Sequence, residues 1–177
     1  MSLQRAVFLD RDGTLTRSLF REGRPIAPSH VEEFELLPGV REAVERLHAA
    51  DFRLIVTTNQ PDVRTGATQR ESVEEMNRRL REWLPIDDIK VCYHIEADGC
   101  ACRKPKPGML LEAAQEYAID LTRSWMVGDR WRDVSAGSLA GCQTIFVDGS
   151  YPESLREAPD FTVENFADAV EIILKKP

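Results

Sequence analysis

Ala6-Val7-Phe8-Leu9-Asp10-Arg11-Asp12-Gly13-Thr14 is an apolar run that stops abruptly at a carboxylate and a glycine turn. A short, unbroken apolar run of this kind reads as a strand buried on both faces. Working outward, similar runs occur at 52–57 (FRLIVT), 89–93, 124–127 (SWMV) and 144–147. Helical spacing fills the intervals between them. Val40, Ala43, Val44 and Leu47 fall on one face after Pro38-Gly39. Residues 68–84 place Val73, Met76, Leu80 and Trp83 together, with Thr68 and Glu71 spaced as a capping box. Further helices are expected at 109–118, in a short segment ending at Ala140, and at 165–175, where Phe166, Ala169, Val170, Ile173 and Leu174 share a face.

Strands alternating with helices mean an α/β chain with a central parallel sheet covered on both faces, a three-layer Rossmann-like arrangement. In such sheets the ligand crevice lies at the carboxyl ends of the strands. Three of these strands end in polar residues: Asp10, then Thr58-Asn59-Gln60, then Gly128-Asp129. The longest irregular stretch, 16–37, is expected to form a loop or flap over that crevice. No internal repeat or low-complexity segment interrupts the pattern, so residues 1–177 are read as one domain.

The 177 residues are 42% hydrophobic and 30% charged, a globular balance. No apolar run reaches the roughly 20 residues of a membrane helix, and the N-terminal apolar run is too short for a signal peptide. A cytoplasmic location is the expectation. The net charge of −7 disfavours nucleic acid and anionic membranes as partners. It leaves room for a local basic pocket that takes a small anion, in a monomer or small homo-oligomer.

Of four cysteines, Cys92, Cys100 and Cys102 crowd into eleven positions together with His94. Three thiolates and an imidazole make a tetrahedral structural Zn²⁺ set with no open position for catalysis. The loop 92–102 runs directly into Arg103-Lys104-Pro105-Lys106-Pro107-Gly108, so a bound zinc would hold Arg103 and Lys104 in place. Cys142, alone in SLAGCQTIFVD, reads as a small buried residue.

Asp10 and Asp12 stand one residue apart, and in extended chain they would point to opposite sides. A turn after Asp10, which Gly13 favours, would bring both toward one substrate. One carboxylate could then attack as a nucleophile while the other moves a proton.

The ordered set Asp10-Arg11-Asp12-Gly13-Thr14, Thr58, Lys104 and Gly128-Asp129-x-x-x-Asp133 resembles the motifs of the haloacid dehalogenase (HAD) superfamily of phosphatases. The resemblance covers about 8–147. It implies a HAD-like, capless domain in which Asp10 is phosphorylated and Asp12 is the general acid/base. Thr58 would hydrogen-bond the phosphoryl group, and Lys104 would neutralise it. Mg²⁺ would be held by Asp10, the backbone carbonyl of Asp12 and Asp129, with Asp133 in support. Phosphoryl transfer depends mostly on positioning and charge neutralisation, so these roles agree with the residue types.

The Cys-His-Cys-Cys loop followed by CRKPKPG is similar to that of the phosphatases acting on histidinol phosphate and on D-glycero-D-manno-heptose 1,7-bisphosphate. KPKPGMLLEAA favours the heptose enzymes, and the short spacer between His94 and Cys100 favours the histidinol-phosphate form. Asn59, Gln60, Arg103 and Arg130 are the candidate substrate contacts. Arg17, Arg21 and Arg24 in the flap are further candidates for a second phosphate, and Arg64 either faces the substrate or is a solvated loop residue. A heptose 1,7-bisphosphate losing its C7 phosphate is the expected substrate, with histidinol phosphate as the alternative. The rivals are a phosphate-binding zinc module without catalysis and a zinc-dependent nucleic-acid binder; the intact carboxylate set speaks against the first and the acidic balance against the second.

Overall fold

A computed structural model describes residues 3–149 and 151–176; residues 1, 2 and 177, the ends of the expected domain, lie outside them. The strand β1 (Ala6–Leu9) is central, flanked in parallel by β4 (Arg53–Asn59) and β6 (Trp125–Gly128). Beyond them come β5 (Asp88–Cys92), β7 (Gln143–Val147) and β8 (Phe161–Val163). The order β5-β4-β1-β6-β7-β8 is parallel throughout.

Every side chain of β1 is fully buried, which explains its unbroken apolar reading. Alternate residues feed two cores. Val7 and Leu9 belong to one with α1 (Val40–Ala49), α3 (Arg70–Trp83) and α6 (Phe166–Lys175). Ala6 and Phe8 belong to the other with α4 (Gly108–Tyr117) and α5 (Trp131–Ala140). The helical stripes fall where the spacing predicts: α1 buries Val40, Ala43, Val44 and Leu47, and α6 buries Phe166, Ala169, Val170 and Ile173. At about 1.5–3 kcal/mol for each fully buried large aliphatic side chain, these stripes outweigh helix propensity. Asn165 caps α6 by accepting from the Asp168 amide.

Several details differ from expectation. The Thr68–Glu71 capping box does not form: α3 starts at Arg70 with Gln69 as its cap. The Thr68 amide instead bonds the Asp62 carbonyl, closing the short helix α2 (Asp62–Thr65), which apolar spacing does not reveal. The irregular stretch 16–37 contains an antiparallel hairpin of β2 (Leu19–Arg21) and β3 (Arg24–Ile26). β8 is three half-exposed residues with no apolar run, held in register by the Asp160 carboxylate, which accepts from the Thr144 amide at 2.7 Å. Among the described residues, no helix is long and apolar enough to cross a membrane.

Candidate active site

Asp10 follows β1, and its amide still bonds the Val127 carbonyl, fixing it between β4 and β6. The chain then folds back on itself: the Arg11 carbonyl accepts from the amides of Leu15 at 2.9 Å and Thr16 at 3.0 Å. Gly13 makes this turn possible at φ 91°, and a Cβ there would lie 2.1 Å from Asp129 Oδ2. The turn that two carboxylates one residue apart need is therefore present, and both Asp10 and Asp12 line a crevice of about 230 Å³.

Asp10, Asp129 and Asp133 are all at least nine-tenths buried, with one oxygen of each within 4.8 Å of the others. Gly128 allows this closeness, because a Cβ there would meet the Asp133 carboxylate at 2.3 Å. Lys104 reaches in from the loop before α4. Its Nζ lies 2.7 Å from Asp10 Oδ1, 2.6 Å from Asp133 Oδ1 and 2.6 Å from the Thr57 carbonyl.

Three carboxylates around one ammonium leave an excess of negative charge, and the titration directions record it. Burial, together with the charges of Asp10 and Asp133, pushes Asp129 well above the usual carboxylate range. Burial and the charge of Asp10 push Asp133 up to about 6. Burial draws the Lys104 ammonium down, but Asp10 and Asp133 more than offset this and its pKa is raised. An all-oxygen, anionic, buried set fits a hard divalent cation such as Mg²⁺. Tyr151, which nothing in its sequence surroundings marks, donates its hydroxyl to the Asp129 carboxylate.

Asp12 stands outside this trio. Its carboxylate accepts from Arg11, from Gln60 Nε2 at 2.7 Å and from Thr16 Oγ1 at 3.2 Å. Thr58 lines the crevice with its hydroxyl accepting from Gln60 Nε2 at 3.0 Å. Gln60, expected as a substrate contact, does not line the crevice: it is buried, and its amide donates to Asp12 and Thr58. Asn59 lines the crevice, but its side chain clasps the backbone of Lys104 at both ends, at 3.0 and 3.1 Å.

Arg103 and Arg130, the other two candidate contacts, line the crevice, and Arg132, one residue short of Asp133 at the start of α5, joins them. Arg103 also donates to the His94 carbonyl at 3.1 Å, and Arg130 to Glu153 at 3.1 Å. The flap arginines considered for a second phosphate, and Arg64, do not line it. Arg17 pairs with Glu35, and Arg64 lies 3.6 Å from Asp98. Arg21 and Arg24 are exposed on the hairpin, which offers Ser18, Pro25 and Ile26 to the crevice instead.

Cys92, His94, Cys100 and Cys102 converge beside the crevice. Sγ–Sγ separations of 3.2, 3.5 and 3.8 Å, and 3.3 and 3.6 Å from sulfur to His94 Nδ1, surround a common centre. Thiolates bound to zinc at about 2.3 Å in a tetrahedron would stand about 3.8 Å apart, so the set fits Zn²⁺ with modest contraction. Cys142 is buried and apart from them.

A sequence profile described as HAD-hydrolase-like matches residues 101–169. The chain is 33% identical over 191 aligned positions to the D-glycero-beta-D-manno-heptose-1,7-bisphosphate 7-phosphatase of Pasteurella multocida, covering 97% of each chain. It is 34% identical over 146 positions to the protein of that name from Pseudomonas aeruginosa, covering 80% of this chain and 79% of that one. Among solved structures, the D,D-heptose 1,7-bisphosphate phosphatase from B. bronchiseptica, complexed with magnesium and phosphate, has a TM-score of 0.80 at 30% identity. That match covers 98% of this chain and all of the other.

Proposed function

The chain belongs to the HAD-like hydrolases, and we propose that it is a Mg²⁺-dependent, zinc-stabilised cytoplasmic phosphatase that removes the C7 phosphate from D-glycero-D-manno-heptose 1,7-bisphosphate. The observation that carries the reading is the meeting of Asp10 with Lys104 at 2.7 Å beside Asp129 and Asp133, while Asp12 is held apart on a separate set of donors. The heptose substrate is supported by relatives of that name matched over 97% and 80% of this chain, and these outweigh the zinc-loop spacer that points to histidinol phosphate.

Asp10 is the nucleophile. Its carboxylate oxygen attacks phosphorus, an O–P bond forms, and the bond from phosphorus to the sugar oxygen breaks as Asp12 delivers a proton to that oxygen. Water then attacks the phosphorylated Asp10 as Asp12 takes up its proton, releasing inorganic phosphate and restoring both carboxyl groups. Lys104 offsets the charge of Asp10 and of the arriving phosphoryl group, and Thr58 offers its hydroxyl proton to a phosphoryl oxygen. Arg103, Arg130 and Arg132 give the mouth of the crevice the positive charge an anionic substrate needs. Asp10, Asp129 and the Asp12 carbonyl would hold Mg²⁺, with Asp133 in support through Lys104 and the Arg130 amide. When bound, the cation neutralises phosphoryl oxygens and aligns them for in-line attack.

Zinc on Cys92, His94, Cys100 and Cys102 has a mechanical task, since the four ligands leave no open position. Bound there, it would fix the loop whose next residues are Arg103 and Lys104. The test is phosphate release, with Mg²⁺, from the heptose bisphosphate and from histidinol phosphate side by side, with Asp10→Asn as the blank. A preference for the bisphosphate upholds the reading. A preference for histidinol phosphate replaces the substrate, and turnover by Asp10→Asn removes the nucleophile.

A further inference from the structure

Among the described residues, Arg11 is the largest side chain with no exposed surface. Long cationic side chains are almost never fully buried unless paired, because desolvating the charge is costly. Here the guanidinium lies along its chain neighbour. Nε donates to both oxygens of Asp12 at 3.1 Å, and Nη2 donates to Oδ2 at 2.9 Å. Its remaining arm, Nη1, donates to Asn77 Oδ1 on α3 at 2.8 Å, and its face lies 5.2 Å from the centre of the Phe34 ring. Phe34 is in turn stacked on Trp83 at 5.6 Å. The fork is therefore fixed by a helix 66 residues away rather than by its own turn.

We propose that Arg11 is a positioning residue for the acid/base carboxylate of Asp12, locked by Asn77 and Phe34 so that Asp12 is aimed at the crevice before substrate arrives. The inference rests on the phosphatase reading above. With Gln60 and Thr16 completing the cage, each Asp12 oxygen has at least two donors, which removes the carboxylate's rotational freedom. Between β1 and α1 the chain carries only a small hairpin and one 3-10 turn at Val31–Glu33, so no folded lid is available there to swing the acid/base group into place on closure. Pre-alignment by a buried planar fork does that task instead. A lysine, a point charge without the fork, would neutralise Asp12 without aligning it.

The experiment compares Arg11→Lys and Asn77→Ala with the parent on two substrates: a sugar phosphate, whose alkoxide must be protonated to leave, and p-nitrophenyl phosphate, whose phenolate leaves unaided. A misaligned Asp12 lowers kcat on the sugar phosphate by at least about tenfold with KM nearly unchanged, since general acid–base catalysis contributes roughly 10²–10⁴-fold. On p-nitrophenyl phosphate it produces a burst of about one nitrophenolate per enzyme followed by a slow steady state, because attack on Asp10 proceeds and hydrolysis of phosphorylated Asp10 lags. Asp12→Asn gives the reference burst. Parent rates in both variants, or burst and steady state falling together, overturn the proposal. Asn77 is half-buried and touches Asp12 only through Arg11, so its variant decides the matter if Arg11→Lys does not fold. Normal turnover by Asp10→Asn would instead sink the phosphatase reading, a separate outcome.

Discussion

Nζ of Lys104 stands 2.7 Å from Oδ1 of Asp10, two groups separated by 94 residues and brought together at the carboxyl edge of the sheet. Neither element alone determines the contact. β1 delivers Asp10, while Lys104 depends on Asn59 clasping its backbone from the end of β4. The two sides of the crevice are therefore coupled: the strand that carries Thr58 also sets the height of the lysine. An ammonium nine-tenths buried between two carboxylates is costly to remove singly, because truncation leaves the anions without their partner.

Lys104→Met should lower kcat by about 100-fold or more, the scale seen when a preorganised electrostatic contact to a developing charge is deleted. It should also destabilise the metal-free protein by about 3 kcal/mol, since Asp10 and Asp133 lose their shared cation. Steady-state phosphate release and thermal melts read the two effects. A variant that melts like the parent and turns over at the parent rate would contradict this account of the crevice.

Stability should depend on pH and Mg²⁺ together. Asp133 is raised from 3.8 to about 6, and Asp129 is also raised, so the fold retains protons that the unfolded chain releases. The Asp133 contribution is complete below about pH 4 and is lost as pH climbs through about 6, and that of Asp129 is lost in the same direction, as pH rises. For Asp133 alone the gap corresponds to about 3 kcal/mol. A divalent cation binds the ionised carboxylates, so added Mg²⁺ should raise Tm more at pH 7.5 than at pH 5. Equal gains at the two pH values would show that these groups do not hold it.

The positions of Asp10, Thr58 and Asp129 were legible because buried parallel strands announce themselves as apolar runs and their ends are the crevice. The zinc ligands were legible because four soft donors in eleven residues have few other uses. Side-chain direction just past a strand end was not. Gln60 follows Thr58 and Asn59 in one polar triplet, yet only the packing of β4 against the β1 turn decides that it faces Asp12. The burial of Arg11 was not legible either, because it depends on Asn77 from α3. The hairpin arginines look like phosphate ligands in sequence, but the hairpin turns its Pro25-Ile26 side inward. Tyr151 comes from a segment with no periodic signal, joined to Asp129 only by the fold.

Replacing Cys100 with serine should abolish stoichiometric zinc, measured by elemental analysis, and lower Tm by on the order of 10 °C, because metal binding and folding of such a loop are linked. Catalysis should suffer less: at a temperature where the variant is folded, kcat should fall by less than about tenfold, since Lys104 remains clasped by Asn59. Unchanged metal content and melting would remove the zinc reading. A complete loss of turnover in a folded variant would mean that the loop does more than hold its neighbours.

Gly13→Ala tests the turn itself. The position sits at φ 91°, where a side chain is strained, and the added Cβ would lie 2.1 Å from Asp129 Oδ2. Backbone strain alone costs about 1–2 kcal/mol, too little to unfold an ordinary domain. The clash is the larger effect, because it must displace the Asp129 carboxylate from the group it forms with Asp10 and Asp133. The variant should therefore fold, yet need at least about ten times more Mg²⁺ for half-maximal activity, a shift of about 1.4 kcal/mol in cation binding. Activity titrated with Mg²⁺, alongside circular dichroism to verify folding, gives the answer. A parent-like Mg²⁺ curve would mean that Asp129 does not hold the cation, and the metal would then have to be sought on Asp10 and the Asp12 carbonyl alone.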